Sequence, residues 1–295
     1  MKVVIEEVLK AADISGTFAP FLIYSEVMEG ARRPLAFLDV CREDFSLIGR
    51  DGAIIHVPTA TQLTASEDTE TNIATSGMGS ADKTISSVSI TATAIIYSAV
   101  ELTDSLLEDY ISLDLIRLHF RNMGYAVMEK LDANVEGVLA AGFGVLHTCA
   151  TVNFVAISDA LAAMEANSWI PDANNPPFCI VSPVAASTMV QDTKFVETPR
   201  FYGQAPDALA GEAGLYCGCR VLKTPLLAAT GKNYIVFPPN YKFGPSVILA
   251  WKRRVRVKED YYVNKEIHYY VTTLRAKSAV VQAYGVCRIN CTTTP

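Results

Sequence analysis

The chain has 295 residues, half of them apolar and 19% charged, and 25 basic against 31 acidic side chains leave a formal charge of −6. So apolar a chain is neither disordered nor collagen-like, and 17 glycines with 14 prolines are ordinary numbers. The length suffices for one large domain or two ordinary ones around a sizeable core, and the acidity speaks against a dedicated nucleic-acid-binding surface.

The opening MKVVIEEVLK has no basic stretch ahead of a long apolar run. No secretory signal is therefore expected, and the seven scattered cysteines are expected to be reduced, in a cytoplasmic setting. Residues 1–45 mix a short amphipathic stretch (Val4, Val8, Leu9, Ala12) with Pro20 and Arg32-Arg33-Pro34. No pattern there is long enough to form its own core, which predicts an arm lying on another surface.

Ala53-Ile54-Ile55-His56-Val57-Pro58 reads as a strand ended by proline. A second run, residues 84–97, alternates with period two through Ile85, Val88, Ile90, Ala92, Ala94 and Ile96. Between them lies TATQLTASEDTETNIATSGMGSAD, rich in Thr, Ser, Ala and Gly. A structureless loop of that length is unusual inside a compact domain. A long two-stranded excursion accounts for it better, and an isolated hairpin needs a partner surface to be stable.

The longest regular element follows. Ser105 and Glu108 form a capping box, with Thr103 and Asp104 adding oxygens and negative charge. The helical spacing runs through Leu107, Tyr110, Ile111, Leu118, Val127, Leu131, Val135 and Val138 and stops at Gly142 or Gly144. A helix of about 38 residues would be roughly 57 Å long. It lacks a sustained heptad seam, which suggests a spine to which other parts attach. The acids Glu101, Asp104, Glu108 and Asp109 crowd its start, where anions are stabilising.

Residues 137–158 carry no charge and are long enough to span a bilayer. Gly142, Gly144, His147, Thr148, Thr151 and Asn153 interrupt them, acids flank them, and basic flanks are missing. A buried helix end running into a buried strand fits better, and no membrane association is expected.

From residue 150 to 245 helix and strand signals alternate. Ser158-Asp159 is expected to cap ALAAMEAN, PPFCIVSP reads as a buried strand, and residues 185–194 read as a short helix. Residues 247–289 are strand-like in three runs, VILAWKRRVRVKED, YYVNKEIHYYVTTLRAK and SAVVQAYGVCRI. The fold class is α+β, with sheets at both ends of a long helix.

Motifs for chemistry are scarce. Gly231-Lys232 is followed by Asn233 and lacks the preceding glycine of a phosphate loop, and Gly142-x-Gly144 lacks the third glycine of a dinucleotide loop. Cys217-x-Cys219 has no companion pair for zinc, and reads more simply as two small fillers on one side of a strand. His56 and His268 fall in predicted strands and read as structural. No catalytic residue, metal site or cofactor is expected.

One cluster is informative. Lys252, Arg254, Arg256 and Lys258 stand at every second position, with Val255 and Val257 opposite. On a strand this makes one basic face. It can be a solvated face, an ion-pairing seam with another subunit or a phosphate-contacting strip. For the seam, the acidic Glu67, Asp68 and Glu70 are the candidate inter-subunit partners.

Taken in order, these pieces resemble the major capsid proteins of tailed phages and viruses, the Hong Kong 97-type fold. The residues that carry the resemblance are DFSLIGRDGAIIHVPTATQLTA, SITATAIIYSAVELTDSLLEDY, IVSPVAASTMVQDTKF, GEAGLYCGCRVLKTPLL and VILAWKRRVRVKEDYYVNKEIHYYVTTLRAKSAVVQAYGVCRI. The resemblance implies an N-terminal arm (1–45), an extended loop (46–100), a spine helix with the start of a peripheral domain (101–149), an axial domain (150–245) and C-terminal strands of the peripheral domain (246–295). It further implies a non-catalytic protein whose hexamers and pentamers close into an icosahedral virion capsid, assembled in the host cytoplasm. Double-stranded DNA would be packaged without sequence specificity, with a portal protein. Because the arm starts almost at once, a separate scaffolding protein is expected. Lys83, near the loop's base, makes covalent cross-linking through a loop-tip lysine an unfavoured reading.

Three alternatives stay open. An encapsulin-type compartment shell uses the same fold. A soluble oligomeric enzyme would carry its site in 150–245. A tail or adaptor protein would stop at one ring.

Overall fold

The computed structural model describes residues 20–31, 35–60, 85–103, 105, 113–172, 175–191, 212–227, 231–242 and 244–291. Helix α2 (Leu113–Gly142) is the frame. Phe120, Met123, Val127, Leu131, Val135 and Leu139 recur every three or four residues and are buried, so one stripe of the helix faces protein along its length. Of the two stops considered, Gly142 and Gly144, the first is where α2 ends, and residues 106–112 of the predicted helix lie outside the described residues.

Two sheets pack on this stripe. One has the order β1-β10-β11-β4, from β1 (Arg42–Asp44), β10 (Val247–Tyr262), β11 (Ile267–Val280) and β4 (Ile96–Thr103). The other has six strands ordered β5-β12-β9-β6-β8-β7: β5 (Val145–Cys149), β12 (Val286–Cys291), β9 (Lys232–Val236), β6 (Phe178–Val181), β8 (Cys219–Lys223) and β7 (Glu212–Tyr216). Leu131 and Val135 share a core with Leu249 and Leu274 of the first sheet and with Ile180, Tyr234 and Val236 of the second. The opposite face of the six-stranded sheet, with Cys179, Val221, Ile235 and Cys287, is covered by α3 (Phe154–Glu165) and α4 (Pro183–Gln191). Its central strands are thus apolar on both sides.

Residues 20–31, and Phe37 and Leu38 further on, lie on the chain's own spine. Helix α1 (Pro20–Ala31) crosses α2 so closely that a Cβ on Gly30 would lie 2.0 Å from the Arg121 carbonyl oxygen, and one on Gly124 2.0 Å from that of Val27. Glycine at both positions lets the two backbones touch. Glu26 accepts a hydrogen bond from Arg121 Nε at 2.6 Å and closes the contact electrostatically. Further on, Asp132 Oδ1 accepts the N–H groups of Phe37 and Leu38, both at 3.0 Å. Its other oxygen, Oδ2, is buried without a partner. Burial pushes this carboxyl up to about 7, against the lowering effect of the two N–H donors.

Several expectations are corrected. The alternating run through residues 84–97 is two strands. Strand β3 (Ile85–Thr91) pairs with β2 (Ile54–Ala60) as a separate two-stranded ribbon, and the chain then breaks and enters β4 beside β11. Ala92 marks the break, buried and held by its N–H to the Ala53 carbonyl (2.8 Å) and its carbonyl to Arg275 Nη2 (3.0 Å). Helix α3 is capped by Asn153, whose side chain accepts from Ala156 N at 2.9 Å, so Ser158 and Asp159 are interior to it. The run SAVVQAYGVCRI is also split. After β11 the chain turns at residues 283–285, and β12 joins the six-stranded sheet, parallel to β5 and antiparallel to β9. The stretches 101–149 and 246–295 therefore each contribute strands to both sheets.

Candidate assembly interface

Strand β10 positions the basic residues. Up to Trp251 it is buried on both faces, with Val247 and Leu249 toward α2 and Ile248 and Ala250 toward the base of the β2–β3 ribbon. Past Trp251 burial alternates. Val255 and Val257 pack toward Phe120 and Tyr270, while Arg254, Arg256 and Lys258 are exposed. The expected basic face is present.

The structure divides it. Two register shifts against β11 flank Arg253 and set it opposite Arg275. Lys252 Nζ donates to the carbonyls of Leu47 (3.3 Å) and Arg50. The Arg254 guanidinium sits 4.6 Å from the ring centre of Phe45, and Phe45 stacks on Trp251 at 6.3 Å. Lys252, Arg253, Arg254 and Arg275 thus line one open groove of about 700 Å³ with Phe45, Ile48 and Gly49, and no carboxylate lines it among the described residues. The nearby Glu43 accepts from Trp251 Nε1 at 3.2 Å. Arg256 and Lys258 lie further along β10, outside the groove. Glu67, Asp68, Glu70 and Lys83 lie outside the described residues.

Arg253 and Arg275 escaped the sequence reading. Arg253 breaks the every-second-residue spacing, and no sequence signal announces a bulge. Arg275 is one of three cations in a strand-like run, with Lys265 and Lys277, and only pairing with β10 brings it into the groove.

Two further surfaces suit contacts between chains. The β2–β3 ribbon packs its base, Ile55, Val57 and Ile90, against Leu47 and Ile248, yet has no third strand among the described residues. Its outer edges are unpaired among the described residues, a template for association. The turn joining β10 to β11 exposes Tyr262 at 48% and Val263 at 73%, apolar surface a lone chain gains nothing by showing.

The residues considered for chemistry make local contacts. Cys217 and Gly218 both have positive φ (51° and 76°) in the two-residue turn joining β7 to β8. That geometry is a type I′ hairpin, so Cys217 and Cys219 do not share a strand face. Cys219 is a buried filler, and burial pushes the thiols of Cys179 and Cys287 up to about 12. His56 Nδ1 contacts Ser89 Oγ at 2.9 Å across the ribbon, and His268 Nδ1 contacts Glu259 Oε1 at 3.3 Å. Among the described residues no three His, Cys, Asp or Glu side chains group as metal ligands, and no helix is long and apolar enough to cross a membrane.

The profile of the family described as phage capsid protein matches residues 87–289, more than two thirds of the chain. The chain belongs to that family. This capsid protein is a structural, shell-forming component of a phage capsid. No curated protein sequence matches it. Among solved structures it is similar to one of Mycobacterium phage Che8 at 15% identity, with a TM-score of 0.67, covering 87% of this chain and 91% of that one. A capsid structure of cyanophage P-SCSP1u is 13% identical with a TM-score of 0.65, covering 88% and 89%. An encapsulin complex from Synechococcus elongatus is 13% identical with a TM-score of 0.56, covering 86% of each chain. The fold is the Hong Kong 97-type capsid fold in its α+β form.

Proposed function

We propose that copies of this capsid protein form hexamers and pentamers that close, with a portal protein and a separate scaffolding protein, around double-stranded DNA. The chain assembles in the host cytoplasm and resides in the virion. It works without catalysis. The observation that carries the reading is the β2–β3 ribbon, a two-stranded sheet that leaves both outer edges unpaired among the described residues. Two strands alone are marginally stable in water, so a second copy that covers the ribbon couples its order to assembly. A scaffolding protein supplies what identical chains lack, a bias toward one curvature when five-fold and six-fold rings compete. The net charge of −6 limits adhesion of packaged DNA to the shell.

The test is negative-stain electron microscopy of the purified protein, with nucleic-acid content measured on the same sample, first alone and then with a candidate scaffold co-expressed. Closed shells are the expected result. Persistent monomers or single rings under both conditions overturn the proposal. The encapsulin reading is kept because of the likeness to the Synechococcus structure, and uniform small shells holding a co-purifying protein in place of DNA would favour it.

A further inference from the structure

The last strand of the six-stranded sheet ends beside a second cysteine. β12 runs parallel to β5, and their register sets Cys291 against Cys149 at the final rung of the ladder. Residues in register on neighbouring strands point to the same face, with Cα atoms about 5 Å apart, inside the span that a disulfide bridges. The two sulfurs stand 3.7 Å apart. Both lie on the face that packs against α3, where Cys287 and Ile289 of β12 are buried, but Cys149 and Cys291 are part-exposed at its rim. Of the other cysteines, Cys41, Cys179, Cys219 and Cys287 are buried, and Cys217 lies in the β7–β8 turn.

The surroundings hold the sulfurs in place. Cys291 N donates to the Gly231 carbonyl at 2.9 Å, and its Sγ accepts from Asn233 Nδ2 at 3.5 Å. Asn233 is fixed in turn, since its Oδ1 accepts from Ser182 N at 3.1 Å. Burial and the neighbouring Cys149 push the Cys291 thiol up to about 12, against the lowering effect of the Asn233 and Val152 donors. At neutral pH that thiol is protonated, and the thiolate is the reactive form, so the pair persists until an oxidant is supplied.

We infer that Cys149 and Cys291 are a thiol pair that closes to a disulfide within one chain when it meets a low-molecular-weight disulfide such as oxidised glutathione. One cysteine thiolate attacks a sulfur of the oxidant, forming a mixed disulfide and expelling one glutathione thiolate. The second cysteine then attacks the protein sulfur of the mixed disulfide and expels the other. The two cysteine protons end on two glutathione thiols, and the two electrons reduce the oxidant. The bond joins positions 142 residues apart, tying the strand that follows the spine to the last strand of the sheet. Closing so long a loop restricts the unfolded chain far more than the folded one. Formation of the bond does not depend on the shell-forming reading, but its use does: a reducing cytoplasm keeps the pair open during assembly, and oxidising surroundings close it in the released particle.

The test is made on the purified, full-length, unassembled chain. After incubation with oxidised glutathione at pH 8, the count of thiols titrated in urea should fall by two. Mass spectrometry of unreduced peptides should show the peptide of Cys149 joined to that of Cys291, with the chain still running as a monomer on a non-reducing gel. The urea midpoint should rise by about 1 M and return when dithiothreitol is added. Cys291→Ser should lose both the bridge and the shift, and Cys217→Ser should keep both. Thiols that persist, glutathione left on both cysteines, or bridges between chains overturn the inference, as does a bridge that leaves the midpoint unchanged. These outcomes are read on the natural chain, so they decide the matter even where a serine variant fails to fold. If the bridge forms as expected while the natural chain never forms shells, the thiol pair stands and the shell reading fails.

Discussion

The six-stranded sheet and the β10–β11 hairpin are both rich in apolar strands, yet they end in opposite situations. In the sheet, Cys179 and Val181 face α3 and α4 while Ile180 faces α2, so both faces of its central strand are covered by the chain itself. The hairpin begins the same way, with Val247 to Trp251 buried, and then runs out to Tyr261, Tyr262 and Val263, which are exposed. A strand buried on both faces belongs to a unit that folds alone. A strand that moves from buried to alternating to exposed belongs to a unit finished by a neighbour. One chain thus carries a sheet covered by its own helices and a hairpin end left exposed.

The contrast can be broken at its strongest point first. Leu131 is buried where α2 meets both sheets, so Leu131→Ala should cost about 2–5 kcal/mol, read as a lower urea midpoint of unassembled protein. A loss below about 1 kcal/mol would mean the spine is not the shared core.

Asp132 comes next. Its folded value of about 7 lies above the ordinary 3.8, so between those limits the folded chain keeps a proton that the unfolded chain releases. Its contribution is therefore present at low pH and lost as pH rises toward 7. Asp132→Asn keeps the acceptor for Phe37 and Leu38 and removes the charge. Relative to the natural chain, the variant should gain on the order of 2–4 kcal/mol on going from pH 4 to pH 8. Parallel urea midpoints across that range would show that the carboxyl titrates normally.

A smaller effect is expected at the arm. Glu26→Gln removes the charge facing Arg121 Nε but leaves Arg121 its second partner, Glu29, at 3.1 Å. The cost should be about 1–2 kcal/mol, seen as faster hydrogen exchange in α1 with the sheet amides unchanged. Equal acceleration everywhere would mean that α1 is part of the global folding unit.

The smallest effect on the chain should come from the hairpin end. Val263→Asp touches nothing buried and should shift stability by less than about 0.5 kcal/mol. It should nonetheless reduce shell yield several-fold by sedimentation, because a charge then sits in surface meant for a neighbour. Unchanged yield would remove the hairpin end from the set of contact surfaces.

Much of this was legible in the residues. The spine appeared in its three-and-four spacing, the basic face in its period of two, and the hairpin strands in their β-branched runs. Asn153 was missed because Ser158-Asp159 looks like a cap as well, and the real choice depends on where β5 lets the chain turn. Arg253 and Arg275 were missed because a bulge is decided by pairing between two strands.

By itself the sequence determined periodicity, and with it the long helix, the strands and the alternating faces, since these depend only on geometry that repeats within a few residues. The order of its pieces also determined the family. Tertiary structure alone decided partnership. It sent β12 into the six-stranded sheet, laid α1 across its own spine through Gly30 and Gly124, and gathered four cations from two strands into one groove. Contacts between residues far apart in the chain depend on which surfaces can be buried together, and no local pattern encodes that choice.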